Sequence, residues 1–384
     1  MNVLIISQDP RILQQESAVH KRMQFYASAL EELHIVVMTQ AGGSVIRSGN
    51  LFIYPASGFW RLIQLMRAYI VAHAICRKRQ ISVISTQAPD DAGIMTWWLA
   101  RRAGRPWQLQ IHTDIMSPWY RRASWKEYVR YRIARFLIPR ASCVRVVSER
   151  IKKSIIESGI PLLNPPSSKE GGGRGGRITV LPIYTDLTKF LNVELNPVVK
   201  ERFQDYSFKM IAAGRFVNKE KNFGMLIDVM YEFVKICPDA LLVIVGEGPD
   251  RMKYESRIMN YGLEKHVILE PWREDLHIFY KSFDVFLCSS NYEGWGVAVL
   301  EAMAAGLPVL MTDVGLAGEI IKDRINGRIV PVNDTQALLS AMTDLYNKPH
   351  LKVDLSVHGK ETVLNLQSKT KEEYLKHYRQ SFSV

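Results

Sequence analysis

The chain has 384 residues, 47% hydrophobic, 23% charged and 10% aromatic, which matches a soluble globular protein and excludes a disordered, collagenous or disulfide-stapled class. At about 100–200 residues per domain, that length predicts two or three domains, each with its own core. The formal net charge of +12 is uneven: residues 1–200 carry 28 basic and 13 acidic side chains and residues 201–384 carry 22 and 25, so a polyanion or an anionic surface is expected against the first half.

The chain opens on Val3-Leu4-Ile5-Ile6 without a basic leader, and no signal peptide is expected. Short β-branched runs then alternate with longer amphipathic stretches, the pattern of parallel sheets covered by helices. Strands are expected near 2–7, 34–39, 82–85, 107–112, 142–147 and 178–181, with helices near 17–32, 61–79, 90–103, 125–138 and 149–157. Residues 161–177, rich in Pro, Ser and Gly, read as a mobile surface loop. After a linker near 191–205 the alternation restarts, with strands near 208–213, 240–246, 266–270, 284–288, 308–311 and 328–330. The expected division is an N-terminal Rossmann-like domain over 1–195, a C-terminal one over 196–365, and a final helix over 366–384 that packs back on the first. Ligands of open parallel sheets bind beyond the carboxyl ends of the strands, so two such domains facing each other would hold one in the cleft between them.

Cys76, Cys143, Cys237 and Cys288 are scattered without metal-ligand spacing, which favours a reducing compartment and no metal site. The apolar runs Tyr69–Cys76 and Gly93–Ala100 are too short to cross a bilayer, so any membrane contact is expected to be peripheral.

The stretch 290–309, SNYEGWGVAVLEAMAAGLPV, follows a strand and opens a helix. Gly294 and Gly296 let backbone amides approach a ligand, and a helix N-terminus offers free N–H groups to phosphate. Glu293 and Glu301, eight residues apart, span at most roughly 12 Å as helix, suited to two ends of an extended ligand. The alternative is a helix-capping Glu293 and a solvated Glu301. Ala213-Gly214-Arg215 with Lys221 places two cations at a sheet edge, able to neutralise a diphosphate, although Gly-Arg alone reads as a turn. Val245-Gly246-Glu247-Gly248-Pro249 lacks the spacing of a dinucleotide fingerprint or a P-loop, so it supports neither NAD nor ATP binding, and no cofactor is expected.

In this order and spacing the segments resemble the retaining glycosyltransferases of family 4, whose fold is GT-B, most specifically over residues 208–340. The resemblance implies that Glu301 binds the donor ribose and Glu293 lies beside the donor sugar. It further implies that the amides of Gly294, Gly296 and Val297 meet phosphates and sugar, and that Arg215 and Lys221 hold the diphosphate. His112 resembles the histidine that contacts the sugar from the other domain, although a strand-end histidine is also commonly structural. Trp272 and Arg273 fall in the region that holds the base. The usual Gly-Gly after the first strand is absent; Gln8-Asp9-Pro10-Arg11 stands there.

Residues 119–140 interleave arginines, among them Arg121, Arg122, Arg130, Arg132 and Arg135, with aromatic and aliphatic side chains. A helix here would carry Val129, Ile133, Phe136 and Leu137 on one side, a composition of interfacial helices that also fits an ordinary basic surface helix. The expected function is a retaining, metal-independent glycosyltransferase. It would move a sugar from a UDP- or GDP-sugar to a lipid-linked or saccharide acceptor in cell-envelope or polysaccharide biosynthesis, in the cytoplasm at the inner face of the membrane. A sugar-nucleotide epimerase of the same fold, and a basic nucleic-acid- or membrane-binding protein with a degenerate cleft, are the alternatives. No nucleic-acid module is visible, and no nucleic-acid partner is expected.

Overall fold

A computed structural model describes residues 1–161, 177–367 and 371–383. They form two compact α/β units, Met1–Tyr184 with Thr370–Val384, and Thr185–Lys369. The passage between them falls at Tyr184, ahead of the expected 195, because Leu181 and Tyr184 pack into the first core. Most of the Pro-, Ser- and Gly-rich stretch expected as a surface loop lies outside the described residues.

The first unit holds β1 (Asn2–Ser7), β2 (Glu32–Thr39), β3 (Ile46–Ser48), β4 (Leu51–Ser57), β5 (Val83–Thr86), β6 (Trp107–Ile111), β7 (Cys143–Val146) and β8 (Arg177–Val180). Their order in the sheet is β3-β4-β2-β1-β5-β6-β7-β8, parallel throughout except for the antiparallel β3–β4 pair. Val3, Leu4, Ile5 and Ile6 are all buried, the mark of a strand covered on both faces. β3 and β4 lie outside the sequence expectation. Gly49-Asn50 turns between them, and Pro55 interrupts the apolar run of β4.

Side-chain caps set where helices begin. Ser17 Oγ accepts from the His20 amide at 3.0 Å ahead of the helix Ala18–Ala27, and Asp90 accepts from the Ala92 amide at 3.0 Å ahead of Asp91–Ala103.

The second unit holds β9 (Phe208–Ala213), β10 (Ala240–Val245), β11 (Val267–Glu270), β12 (Val285–Cys288), β13 (Val309–Thr312) and β14 (Arg328–Val330), ordered β11-β10-β9-β12-β13-β14 and all parallel. The short helix Thr188–Leu191 leads into the linker expected near 191–205, which contains another, Pro197–Arg202, with Val199 buried. Proline at the first turn and Asn196 capping the Val199 amide at 3.1 Å start the second of these.

The last helix, Lys371–Gln380, belongs to the first unit. Tyr378 and Phe382 are buried in its core, Tyr378 stacks on Tyr26 with centroids 4.3 Å apart, and Gln108 Nε2 donates to the Ser381 carbonyl at 2.6 Å.

Candidate active site

The second unit gathers its charged groups at the carboxyl ends of β9 and β12. After β9 the chain runs through Gly214-Arg215 into a single turn, Asn218–Lys221. The loop after β12 is stitched to that turn: Ser289 Oγ donates to the Lys221 carbonyl at 2.8 Å, and the Asn291 amide donates to the Glu220 carbonyl at 2.8 Å. Asn222, in the left-handed region at φ 51°, donates from Nδ2 to the side-chain oxygens of Asn291 and Asn333 at 3.2 Å. This lattice aims the Lys221 ammonium at the Glu293 carboxylate, with which it forms a close ion pair. Ser290 Oγ donates to the same Glu293 oxygen at 2.9 Å.

Glu220, which the sequence reading passed over, bridges the two cations, 3.1 Å from Arg215 Nη2 and 3.5 Å from Lys221 Nζ. Burial alone would lower the lysine pKa, but the Glu293 and Glu220 carboxylates outweigh it and hold Lys221 above the ordinary lysine value. The Lys-Glu-Lys run 219–221 was the only sequence signal for Glu220, and it reads equally as a solvated turn.

Glu293 lies in the loop and not on the helix, which spans Val297–Ala304, so the helical spacing expected between Glu293 and Glu301 does not apply. Nor does Glu293 cap the helix; its carboxylate is committed to Lys221 and Ser290. Gly296 stands at the helix start with φ +94°, a left-handed conformation that favours glycine. Gly294, Gly296 and Val297 therefore follow Glu293 directly into a helix N-terminus. Across the loop, Gly315 has φ +54°, and a Cβ there would lie 3.0 Å from the Glu293 Cβ.

Glu301, four residues into that helix, is half-buried and is not the solvated acid of the alternative reading. Desolvation pushes its pKa up to about 7. Nearby Tyr280 is buried, its hydroxyl makes no hydrogen bond to a described residue, and burial together with the Glu301 charge raises its pKa. After β11, Trp272 is exposed and Arg273 is engaged by Asp275 through two contacts of 2.8 and 2.9 Å.

Close backbone approach holds these loops in register. A Cβ on Gly246 would lie 1.9 Å from the Gly214 carbonyl oxygen, and one on Gly248 would lie 2.6 Å from that of Phe216. The Gly214 amide donates to the Val245 carbonyl at 3.0 Å and the Phe216 amide to that of Glu247 at 2.8 Å.

The remaining expected residues lie in the first unit. His112, after β6, donates from Nε2 to Gln110 Oε1 at 3.2 Å. Burial and the charges of Arg145 and Arg22 push its pKa down to about 3, so its ring is neutral at physiological pH. On the helix Trp125–Leu137, Arg130 pairs with Glu127 at 3.3 Å, Arg132 donates to the Tyr128 hydroxyl at 3.4 Å, and Arg135 donates to that of Tyr131 at 3.2 Å. Arg121 lies over the Tyr131 ring and Arg122 is exposed. The expected apolar stripe is split: Ala134 and Leu137 turn inward, leaving Val129 and Phe136 exposed.

A larger apolar surface lies beside it. The helix Arg61–Lys78 buries Gln64, Ala68, Ala72 and Ile75 and turns Leu62, Met66 and Ile70 outward. With Phe59 and Trp60 before it and Trp98 on the helix Asp91–Ala103, these side chains are 50% to 76% exposed. They border an open groove of about 320 Å³ lined only by Leu65, Met66, Tyr69, Ile70, Met95 and Trp98.

Among the described residues no group of three or more His, Cys, Asp or Glu side chains is placed to hold a metal ion, and no helix is long and apolar enough to cross a membrane.

The profile of the Glycosyl transferases group 1 family matches residues 198–362, and that of the Glycosyl transferase 4-like domain matches residues 26–163. EpsD of Bacillus subtilis (strain 168), which carries the name of a glycosyltransferase, is 30% identical over 209 residues, 53% of this chain and 54% of that one. The UDP-Gal:alpha-D-GlcNAc-diphosphoundecaprenol alpha-1,3-galactosyltransferase of Escherichia coli is 26% identical over 195 residues, 49% of this chain and 50% of that one. The chain thus spans about half the length of the curated relatives it matches.

Among solved structures, sucrose-phosphate synthase from Thermosynechococcus elongatus superposes with a TM-score of 0.76 at 19% identity, covering 100% of this chain and 99% of that one. The Anabaena protein HepE in complex with UDP-glucose gives 0.72 at 16% identity, covering 99% and 98%. At such identities the likeness is one of fold, the two-unit GT-B architecture.

Proposed function

The chain belongs to the glycosyl transferases of group 1, and from that premise we propose that it is a retaining glycosyltransferase. In this reading it moves a sugar from a nucleotide-sugar donor to a lipid-linked or saccharide acceptor in cell-envelope or polysaccharide biosynthesis. The observation that carries the reading is the Lys221–Glu293 pair, set beside Arg215 at the carboxyl ends of β9 and β12 and just ahead of the helix N-terminus at Val297. A UDP-sugar is the donor of choice, since UDP is named both in the Escherichia coli relative and in the Anabaena complex.

Lys221, Arg215 and the amides that follow Gly296 would carry the developing charge of the diphosphate, without need of a metal ion. Lys221 would exchange its carboxylate partners for the phosphates when the donor binds, leaving Glu293 beside the sugar. Glu301 would accept from the ribose hydroxyls, and Trp272 and Arg273 would border the base. The bond between the anomeric carbon and the diphosphate oxygen breaks, the acceptor oxygen bonds to the same face of that carbon, and the acceptor proton passes to the departing diphosphate. His112, neutral, would serve as a hydrogen-bonding group for the sugar.

The basic first unit is assigned to the acceptor and to peripheral contact with an anionic membrane, at the inner face of the cell membrane. Its support is the exposed apolar face around Trp60, Met66, Ile70 and Trp98, flanked by the arginines of Trp125–Leu137.

A thermal-shift screen against UDP-, GDP- and ADP-sugars tests the donor assignment, because a ligand of the folded state raises its melting temperature. A rise with a UDP-sugar that Lys221→Ala abolishes supports the reading; no rise with any nucleotide-sugar overturns it.

A further inference from the structure

The first unit contains a second concentration of positive charge, separate from the arginines of its surface helix. Beyond the carboxyl ends of β1 and β6 lies a cavity of about 100 Å³, lined among others by Asp9, Arg22, Gln87, Gln110, His112 and Arg145. That volume holds about three water molecules or one phosphate-sized group.

Arg145, on β7, is 2% exposed. It donates to the Leu181 carbonyl at 3.3 Å, to the Pro182 carbonyl at 3.4 Å and to the Tyr374 hydroxyl at 3.3 Å, all of them neutral acceptors. No carboxylate pairs with it among the described residues. Arg22, on the helix Ala18–Ala27, forms no ion pair or hydrogen bond with a described residue. The one carboxylate in the lining, Asp9, is taken on both oxygens by Arg11, at 3.0 and 2.8 Å. His112 adds no charge, since the two guanidiniums help to keep it neutral. The lining therefore presents two guanidiniums without a direct ion pair, Arg22 sharing the charge of Asp9 with Arg11 and Arg145 buried among neutral acceptors. A buried charge is costly unless a partner compensates it, and a guanidinium fork matches the oxygens of phosphate or carboxylate.

We propose that the Arg22–Arg145 cavity is a binding site for an anionic group of the acceptor, a phosphate or a carboxylate. This rests on the reading of the first unit as the acceptor side. Gln87, whose Oε1 accepts from Ser7 Oγ at 2.6 Å, supplies a side-chain amide at the same wall, while the amide of Gln110 and the Nε2–H of neutral His112 are already committed to Ser85, Gln108 and each other.

The test is calorimetric titration with methyl phosphate and, separately, with acetate, on the full chain and on Arg22→Gln, Arg145→Lys and Lys221→Ala. Arg22 is half-exposed and its replacement leaves the core intact. The expected result is binding of one of the two probes that weakens tenfold or more in Arg22→Gln and persists in Lys221→Ala; which probe binds identifies the acceptor group. Arg145→Lys, which keeps the charge but loses the fork, is expected to weaken binding as well. Absence of binding by both probes, equal affinity in the full chain and in Arg22→Gln, or loss only in Lys221→Ala would overturn the proposal. Stabilisation of Arg22→Gln by a UDP-sugar, measured in parallel, separates failure of this site from failure of the donor assignment.

Discussion

Lys221 and Glu293, 72 residues apart in sequence, meet as an ion pair because the loop after β12 is hydrogen-bonded to the turn after β9. In the proposed reading the pair would hold the ammonium ready for a diphosphate while keeping it compensated before the donor binds. Replacing Lys221 by Ala removes the cation and leaves Glu293 and Glu220 as neighbouring carboxylates. Transfer is expected to fall by about 10²–10³ in kcat, the usual effect of deleting one stabiliser of transition-state charge. Glu293→Ala should cost a similar factor while circular dichroism stays native. Near-normal turnover in both variants would remove the basis of the assignment.

Glu301 should make nucleotide binding depend on pH. Burial raises its folded-state pKa to about 7, from 4.5 for a free glutamate. Between those values the folded chain holds a proton that the unfolded chain releases, so this group's contribution to stability is complete below about pH 4.5 and is lost as pH rises toward 7. Ribose hydroxyls donate best to the ionised carboxylate. UDP affinity is therefore expected to rise with pH up to about 7, by as much as about tenfold per unit below it. Titrations from pH 5.5 to 8 should show that slope in the native chain and a flat profile in Glu301→Gln. A slope unchanged by the substitution would assign it to another group.

How far the sequence could be read depends on which force set each feature. Val3–Ile6 and Ala240–Val245 were legible as strands because burial on both faces leaves unbroken apolar runs. Strands β3 and β4 were not, since a glycine turn and Pro55 obscure a pairing that only the neighbouring β2 completes. Lys221, Arg215, Glu293 and Glu301 were singled out by motif as candidates, yet Glu220 and Ser290, which hold three of them, and Tyr280, which lies near Glu301, were not, because those meet only through the tertiary fold. The helix Arg61–Lys78 lies where it was expected, but which face it buries was not legible. Its inward face is made of Gln64, Ala68, Ala72 and Ile75, two of them small for close packing, while the large Leu62, Met66 and Ile70 face out, so apolarity alone does not mark the buried face.

Gly246 tests how tightly the loops after β9 and β10 are bound together. A methyl group there would overlap the Gly214 carbonyl oxygen, which is backbone and cannot swing aside as a side chain does. Gly246→Ala is expected to destabilise by at least the roughly 1–3 kcal/mol of a core overpacking, a fall in melting temperature of about 2–12 °C. Because the displaced segment carries Arg215, UDP-sugar affinity should fall with it. Gly262→Ala, at a helix end with φ +64° and open space around the added methyl, should cost only the left-handed strain of about 1–2 kcal/mol and leave affinity intact.

The outward apolar face of the first unit is expected to govern membrane contact more than the arginines that mark the sequence. Leu62, Met66 and Ile70 lie on successive turns of one helix, with Trp60 before it and Trp98 alongside. Each such side chain contributes about 1.5–3 kcal/mol when withdrawn from water, and each basic residue near an anionic surface about 1 kcal/mol. Trp60→Ser with Ile70→Ser should therefore reduce cosedimentation with phosphatidylglycerol-containing vesicles at least tenfold at any salt concentration. Arg130→Gln with Arg132→Gln should weaken it less, and only at low ionic strength, where the charges are poorly screened. Both pairs of positions are exposed, so melting temperature and donor binding should be unchanged. If the double serine variant sediments like the native chain, the apolar face meets something other than lipid, and sedimentation velocity would then show whether it joins two copies of this chain.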